Sequence, residues 1–406
     1  MSQINRTAFI LYIALTCFFP LGVLVRFTPV VNFNIYPQDV IVCGIFLLTL
    51  FSYFKNKKKH YKTLFYSITI FNVIAILSLV INIFRLDQNE LFVSFSYLIR
   101  LDAYISLLFI GLFGFSKYRT RILGKLFMIA SCLFIIFGFA QYFFYNNLRN
   151  LYYLGWDEHL YRLFSTFLDP NFAGVLFVLI ALVFLGKILD KNSHSAASLM
   201  VDIALIIASV LAIILTYSRT ALIALFASGL FFLTIRRKIK LLVISVVVLL
   251  TVAFLVSDFS VEGMNPIRIA SSEARIHSMN EAVDIFTDSP IYGIGFNAYR
   301  YYQQDKGFRK DTLSISSNAD AGTDNSFLFI LATTGIIGFI AYLNIWFVVL
   351  KKISKKGPEK SYVSYAIIIA LFTGSLFVNA LFYAPIMLWV FLYLGRQIDP
   401  DDNYSL

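Results

Sequence analysis

Apolar runs of about 18 or more residues recur along the chain, each long enough to cross a hydrocarbon layer of roughly 30 Å as a helix. Lipid offers no partner to backbone N–H and C=O groups, so only helices and closed barrels can span it. Barrel strands would read as short alternating segments, and these runs do not alternate. The sequence therefore predicts an all-α, polytopic integral membrane bundle. Its 59% hydrophobic content over 406 residues, with a mean hydropathy of +0.76, exceeds what a soluble core of this length needs.

Twelve spans are read: 8–25, 38–54, 63–84, 93–115, 122–144, 171–187, 199–217, 220–235, 241–257, 325–350, 362–383 and 385–396. The first is followed by Arg26 and lacks a small-residue cleavage site, so it is read as a retained span and not a signal peptide. The short polar tail after Gly395 is read as disordered.

The net charge of +11 is compatible with nucleic acid in amount but not in distribution. Basic clusters follow spans two (Lys55, Lys57, Lys58, Lys59, Lys62), four (Lys117, Arg119, Arg121, Lys125), eight (Arg236, Arg237, Lys238, Lys240) and ten (Lys351, Lys352, Lys355, Lys356, Lys360). All four follow even-numbered spans, as the positive-inside rule expects when both termini are cytoplasmic. The charge is thus a topology signal, and no nucleic-acid partner is expected. Cys17, Cys43 and Cys132 lie on three different spans and read as small apolar residues. His60, His159, His194 and His277 are scattered, with no metal-ligand spacing. No cofactor is implied.

This topology leaves two long outer loops, 145–170 and 258–324. Loops of that length are functional or disordered. These are rich in Tyr, Trp, Phe, Arg and Asp, which is not a disorder composition. Aromatic rings beside Asp, Asn and Arg suit sugar surfaces, although single tyrosines at this depth also serve as interfacial anchors. Within the second loop, SSEARIHSMNEAVDIF (271–286) reads as an amphipathic helix capped by Ser271 or Ser272, with Ile276, Met279, Ala282, Val283 and Phe286 on one apolar face. Pro290 stops it, and Gly293 and Gly295 then permit a tight turn or a close approach to a ligand.

One cation stands against the pattern. In LAIILTYSRTALIALF (211–226) Arg219 lies between two spans, at the outer tip of a tight helical hairpin and opposite to the orientation bias. At its plainest it marks the turn, snorkelling to the interface. Alternatively its rigid five-donor fork meets phosphate at the membrane surface.

LTYSRTAL (215–222) resembles a signature of the bacterial O-antigen ligase and polymerase family. Three further segments follow that family's pattern: RLFSTFLDPNFAGVLF (162–177), ARIHSMNEAVDIFTDSPIYGIGFNAY (274–299) and TDNSFLFILATTGIIGFIAYL (323–343). The resemblance divides the chain into N-terminal spans (1–160), a catalytic region with the outer loop (161–350) and C-terminal spans (351–406). It implies an enzyme of the bacterial cytoplasmic (inner) membrane acting at its outer face, on glycans carried by undecaprenyl diphosphate, without nucleotide-sugar donor or metal. Expected partners are the lipid-linked donor and acceptor, the bilayer, and a chain-length regulator and flippase. By the same resemblance Arg219 and Arg275 are clamp candidates for the diphosphate, with Arg162, Arg268 and Arg300 behind them; a solvated helix face is the plain alternative for Arg275. The family's ligases carry a histidine before the Asn that opens the late span. Here Asp324 precedes Asn325, which leans toward a polymerase with Asp324 as base, or His277 in its place. Asp324 is ionised but weakly basic unless burial raises it, and it can also serve simply as a helix cap.

Other intramembrane polar residues have structural readings. Arg100 and Asp102, two apart on span four, point in different directions and need separate partners, as bundle ties or along a lipid-diphosphate path. Asp169 caps the helix begun by Pro170-Asn171, and Gly335 and Gly338 permit close helix packing. The leading activity is polymerisation of lipid-linked repeat units, with glycan ligation next. A lipid-linked oligosaccharide flippase is a third reading, weakened by the absence of an internal repeat.

Overall fold

The computed structural model describes residues 3–30, 33–56, 58–154, 156–189, 196–235, 270–308 and 322–399, together with positions 237 and 251. They form α1 (Gln3–Phe18), α2 (Pro37–Asn56), α3 (Lys62–Ile81), α4 (Gln88–Ile105), α5 (Lys117–Phe144), α6 (Pro170–Leu189), α7 (Ala196–Leu215), α8 (Arg219–Ile235), α9 (Ala270–Asp288), α10 (Tyr299–Asp305), α11 (Ser326–Ser354), α12 (Pro358–Ser375) and α13 (Ala384–Ile398). Every predicted span but one falls on a helix; 241–257 lies, but for position 251, outside the described residues. Among the described residues eight helices are long and apolar enough to cross a membrane, while Arg219–Ile235, Ser361–Ser375 and Ala384–Ile398 are apolar but shorter. The protein is a helical, polytopic membrane bundle. The predicted twelve counts the three shorter helices and 241–257 as well.

Four local readings change. The first span stops at Leu21, where Gly22 takes a φ of +54°, and a small antiparallel hairpin follows: β1 (Phe27–Val30) with β2 (Phe33–Ile35). The all-α reading lacked this hairpin. The fourth span starts early, at Gln88, because Asp87 and Glu90 form a reciprocal capping box, and it ends as a 3-10 helix over Ser106–Phe113. The eleventh stops at Ser375, after which the backbone pairs with another element: Ser326 Oγ donates to the Val378 carbonyl at 3.4 Å and accepts from Leu381 N at 3.2 Å. The tail read as disordered from Gly395 is helical to Ile398, with Arg396 buried.

Helices α6 and α13 are buried on nearly every face and form the centre of the bundle. α6 packs against α7, α8 and α12; α13 packs against the 3-10 extension of α4. The described basic clusters meet at one end. Lys58 Nζ donates to the Gly111 carbonyl at 2.9 Å, the His60 ring lies 2.9 Å from the Ile398 carbonyl, and Lys352 donates to the His60 carbonyl. The Arg119 guanidinium sits 4.9 Å over the Phe9 ring. The α7–α8 turn, the start of α11 and the loop before α6 lie at the opposite end. Of the polar pair on α4, Arg100 is a bundle tie: Nη2 meets Asp39 Oδ2 at 2.9 Å, and Tyr104 donates to Asp39 Oδ1 at 2.7 Å.

Candidate active site

The α7–α8 turn is Thr216-Tyr217-Ser218. It closes without glycine because Tyr217 takes the left-handed conformation, φ +49°. Thr216 Oγ1 donates to the Ile213 carbonyl at 2.6 Å and accepts from Ser218 N at 3.2 Å, while Ser218 Oγ accepts from Ala221 N at 3.4 Å and so caps α8. Thr216, Ser218 and Thr220 are fully buried. Arg219, the first residue of α8, is half-buried at the end of the hairpin, as the sequence places it.

The segment 162–177 lies along this turn. Leu163 N donates to the Leu215 carbonyl at 2.9 Å, Arg162 Nε to the Thr216 carbonyl at 2.8 Å, and Ser218 Oγ to Asn171 Oδ1 at 3.0 Å. Gly174 permits the approach: a methyl there would meet the Ala221 methyl at 2.7 Å. Asp169 caps α6, accepting from Asn171 N at 2.6 Å and Phe172 N at 3.3 Å. The preceding chain is irregular, with His159, Tyr161, Ser165 and Leu168 all at positive φ. Gln141 of α5 holds it. The amide oxygen accepts from Phe164 N (2.8 Å) and Ser165 N (3.0 Å), and the nitrogen donates to the Tyr145 (2.8 Å) and Arg162 (3.2 Å) carbonyls.

α9 adds the third wall. Arg275 Nη1 donates to Thr220 Oγ1 at 3.0 Å, and its Nε lies 4.0 Å from Asp324 Oδ2. Asp324 N donates to Ser278 Oγ at 3.3 Å. Arg219 and Arg275 are close enough for their charges to repel each other. Arg219, Arg275 and Asp324, far apart in sequence, therefore converge at the amino end of α8. Its unpaired amides add positive potential there. Asp324 is not the cap of α11. Asn325 caps it, accepting from Phe327 N and Leu328 N at 2.9 and 3.1 Å.

The other candidates go elsewhere. Arg162 is buried and spends Nε on the turn that precedes Arg219. His277 is 77% exposed on another face of α9, where Nδ1 meets Glu281 Oε1 at 3.3 Å. Arg300 is on α10 beside Tyr301, whose ring packs with Val93 and Ala298. Arg268 lies outside the described residues. The apolar face of α9 is also rotated from the expected one. Ala282 and Ile285 are buried against Phe329 and Ala332, while Ile276 and Val283 are exposed. α9 runs from Ala270, ahead of both serines offered as caps.

The glycine-rich loop after α9 is no simple turn. α11 breaks at Gly335, φ +67°, and the loop fills the break. Ile294 N donates to the Ala332 carbonyl and Gly295 N to that of Thr333, both at 3.1 Å; Ile336 N donates to the Pro290 carbonyl at 2.9 Å. A methyl on Gly335 would overlap the Ile291 carbonyl, and one on Gly293 the Thr333 carbonyl. Gly335 thus serves a backbone insertion, not helix packing; Gly338 makes room for the Thr334 side chain of its own helix. From α3, Ser78 Oγ donates to the Thr333 carbonyl at 2.9 Å and Asn82 Nδ2 to that of Gly293 at 3.0 Å. Irregular backbone inside a membrane bundle needs such partners.

Sequence reading missed Gln141, Thr220, Ser278 and the Ser78/Asn82 pair. Gln141, alone in an apolar run, and Ser78/Asn82, one turn apart on an apolar helix, carried a legible signal. Thr220 and Ser278 carried none.

Residues 203–343 match the family model described as O-antigen ligase. Three of the four resembling segments lie wholly in that stretch. The fourth, 162–177, precedes it and is tied to it through Leu163, Arg162 and Asn171. No curated protein matches the chain.

Proposed function

Because residues 203–343 carry the O-antigen ligase family domain, we propose that this membrane protein is a polysaccharide polymerase joining undecaprenyl-diphosphate-linked repeat units at the outer face of the bacterial cytoplasmic membrane. The observation that carries the site is the meeting of Arg219, Arg275 and Asp324. Two mutually repelling guanidinium groups at a helix amino end favour an anion between them, and a diphosphate supplies it.

In this reading the acceptor hydroxyl oxygen attacks the anomeric carbon of the donor. The bond from that carbon to the phosphate oxygen breaks, and the diphosphate leaves carrying the electron pair. Arg219 and Arg275, rather than a metal, take up its charge. The hydroxyl proton passes to Asp324. The Arg275–Asp324 pair is long at 4.0 Å, and Asp324 is 42% exposed. Such a pair is worth about 1 kcal/mol or less, so a phosphate displaces the carboxylate from Arg275 at little cost and leaves it to the acceptor. Arg162 and Gln141 act as positioning residues. The chain-length regulator and the flippase remain expected partners.

Glycan ligation to lipid A-core or another acceptor is the second reading, favoured by the description of the matching family. Asp324, where the ligases of the resemblance carry histidine, favours the polymerase. A deletion strain separates them when its glycan ladder and its lipid carrier are extracted apart. Single repeat units without long chains mean polymerase; long chains held on the carrier mean ligase. In the same strain, R219A and R275A are each expected to lower polymer formation by about 10²–10³-fold at unchanged protein level. Normal polymer from either variant would remove the two-arginine clamp.

A further inference from the structure

On the other side of the bundle, α2, α3 and α4 line a partly open cavity of 110 Å³ that includes Thr49, Tyr53, Phe65, Asn72, Asp102 and Phe109. The place in the bundle is notable: Asn72 is about 15 Å along α3 from Lys62, so the cavity lies between the basic end and mid-depth. Its walls are aromatic, Tyr53 and Phe65 stacking at 4.0 Å. Its polar atoms are all oxygen acceptors or hydroxyls, apart from one amide nitrogen. That nitrogen, Asn72 Nδ2, donates to both Asp102 oxygens at 2.9 and 2.8 Å.

This bond fixes the Asn72 amide and leaves its oxygen as an acceptor. Asn72 Oδ1 is buried with no hydrogen-bond partner among the described residues, and so is Thr49 Oγ1. Thr49 is 4% exposed. Thr16, Ser67 and Ser131 donate to the carbonyl one turn back; the Thr49 hydroxyl does not. None of the described ion pairs includes Asp102, because Arg100, its neighbour in sequence, is taken by Asp39. A carboxylate in a membrane bundle without a counter-charge is costly, and unpaired buried acceptors add to that cost.

A proton on Asp102 would remove the charge and, with the amide turned, satisfy Asn72 Oδ1 as well, but it leaves Thr49 Oγ1 bare. One cation with a few waters satisfies the carboxylate, the amide oxygen and the hydroxyl together. One carboxylate matches one positive charge, whereas a dehydrated divalent ion takes six or more oxygens or several carboxylates. The volume admits an ion with a few waters. We propose that Asp102, Asn72 and Thr49 form a binding site for one monovalent metal cation of the sodium type. The site lies on α3, and the same helix reaches the glycine-rich loop through Ser78 and Asn82. Occupancy therefore braces the helix that holds the break in α11.

The test uses the full chain in lipid nanodiscs, with thermal unfolding followed in NaCl, KCl and choline chloride at equal ionic strength. NaCl is expected to raise the unfolding temperature saturably, by about 2 °C over choline. D102N should unfold at its choline temperature in every salt, and T49V should need several-fold more NaCl for the same shift. Equal unfolding of the unaltered protein in NaCl and choline overturns the site. So does a response to pH alone, which would mean a proton only, or an undiminished sodium response in D102N. If D102N fails to fold, T49V decides: an unshifted NaCl midpoint rejects the proposal.

Discussion

Two arginine settings at the same end of the bundle differ in what surrounds the charge. Arg100 is closed in: Asp39 meets it at 2.9 Å, the Asn34 carbonyl accepts from it, and the Phe33 and Tyr97 rings lie 5.0 and 4.7 Å from the guanidinium. Arg219 and Arg275 are left open, half-buried and facing each other's charge, with one carboxylate loosely placed at 4.0 Å. Both settings carry a cation on an apolar helix or at its end. The first has spent its charge on fold, and the second holds positive potential in reserve. A cation's depth alone does not identify a functional residue; the completeness of its partners does.

The largest effect that would break this contrast lies at Arg100. Removing one partner of a buried pair leaves the other charge uncompensated, at about 3–5 kcal/mol. R100A or D39A is expected to lower the unfolding temperature and the folded yield sharply. R100M/D39L, which removes both charges, should regain most of the loss. An R100A protein as stable as the parent would mean that Arg100, too, is held for function.

A sharper, smaller test compares R275K with R275A. Lysine keeps the charge but loses the planar fork that can donate to Thr220 and to a phosphate together. R275K is expected to lose about tenfold in polymer formation, less than R275A, with unfolding temperatures alike for both. Equal loss in the two variants would assign Arg275 to geometry alone; full activity in R275K would assign it to charge alone.

Most of the fold was legible because lipid imposes it. Eleven predicted spans fall on helices, and the described basic clusters gather at one end, both consequences of apolar length and charge position. What escaped was backbone held by distant partners. The hairpin at 27–35 is short and sits in a loop; the break at Gly335 depends on backbone amides and a carbonyl some forty residues earlier; the irregular 159–168 depends on one amide, Gln141. In the site, Arg219, Arg275 and Asp324 were each legible as outer polar residues, and their convergence was not, since nothing local in sequence says that α9 turns Arg275 toward Thr220 and His277 away. The rotation follows from which face packs. Ala282 and Ile285 lie against Phe329 and Ala332, and Ile276 and Val283 are left outside.

The smallest expected effect concerns a third ion pair, outside the spans and open to solvent. At the end of α9, Asp288 Oδ2 accepts from Lys306 Nζ at 3.0 Å and from Tyr302 at 2.8 Å, with the two charged side chains 42% and 45% exposed. Those hydrogen bonds, Lys306 first, hold the Asp288 carboxyl below the usual aspartate range. A carboxyl depressed on folding stabilises the protein above its unfolded pKa, and the contribution disappears as pH falls through the lower folded value. The pair should therefore act fully at neutral pH and vanish only in acid below the range of a free aspartate, about pH 4. Exposure and salt screening keep it small. D288N is expected to unfold within about 1–2 °C of the parent at neutral pH. The difference should close in strong acid and in high salt. The Arg100–Asp39 pair, sealed from solvent, should show no such salt dependence. A D288N loss as large as that of D39A would mean that the α9–α10 corner, and with it Arg275, rests on this exposed link instead of on the buried packing of Ala282 and Ile285.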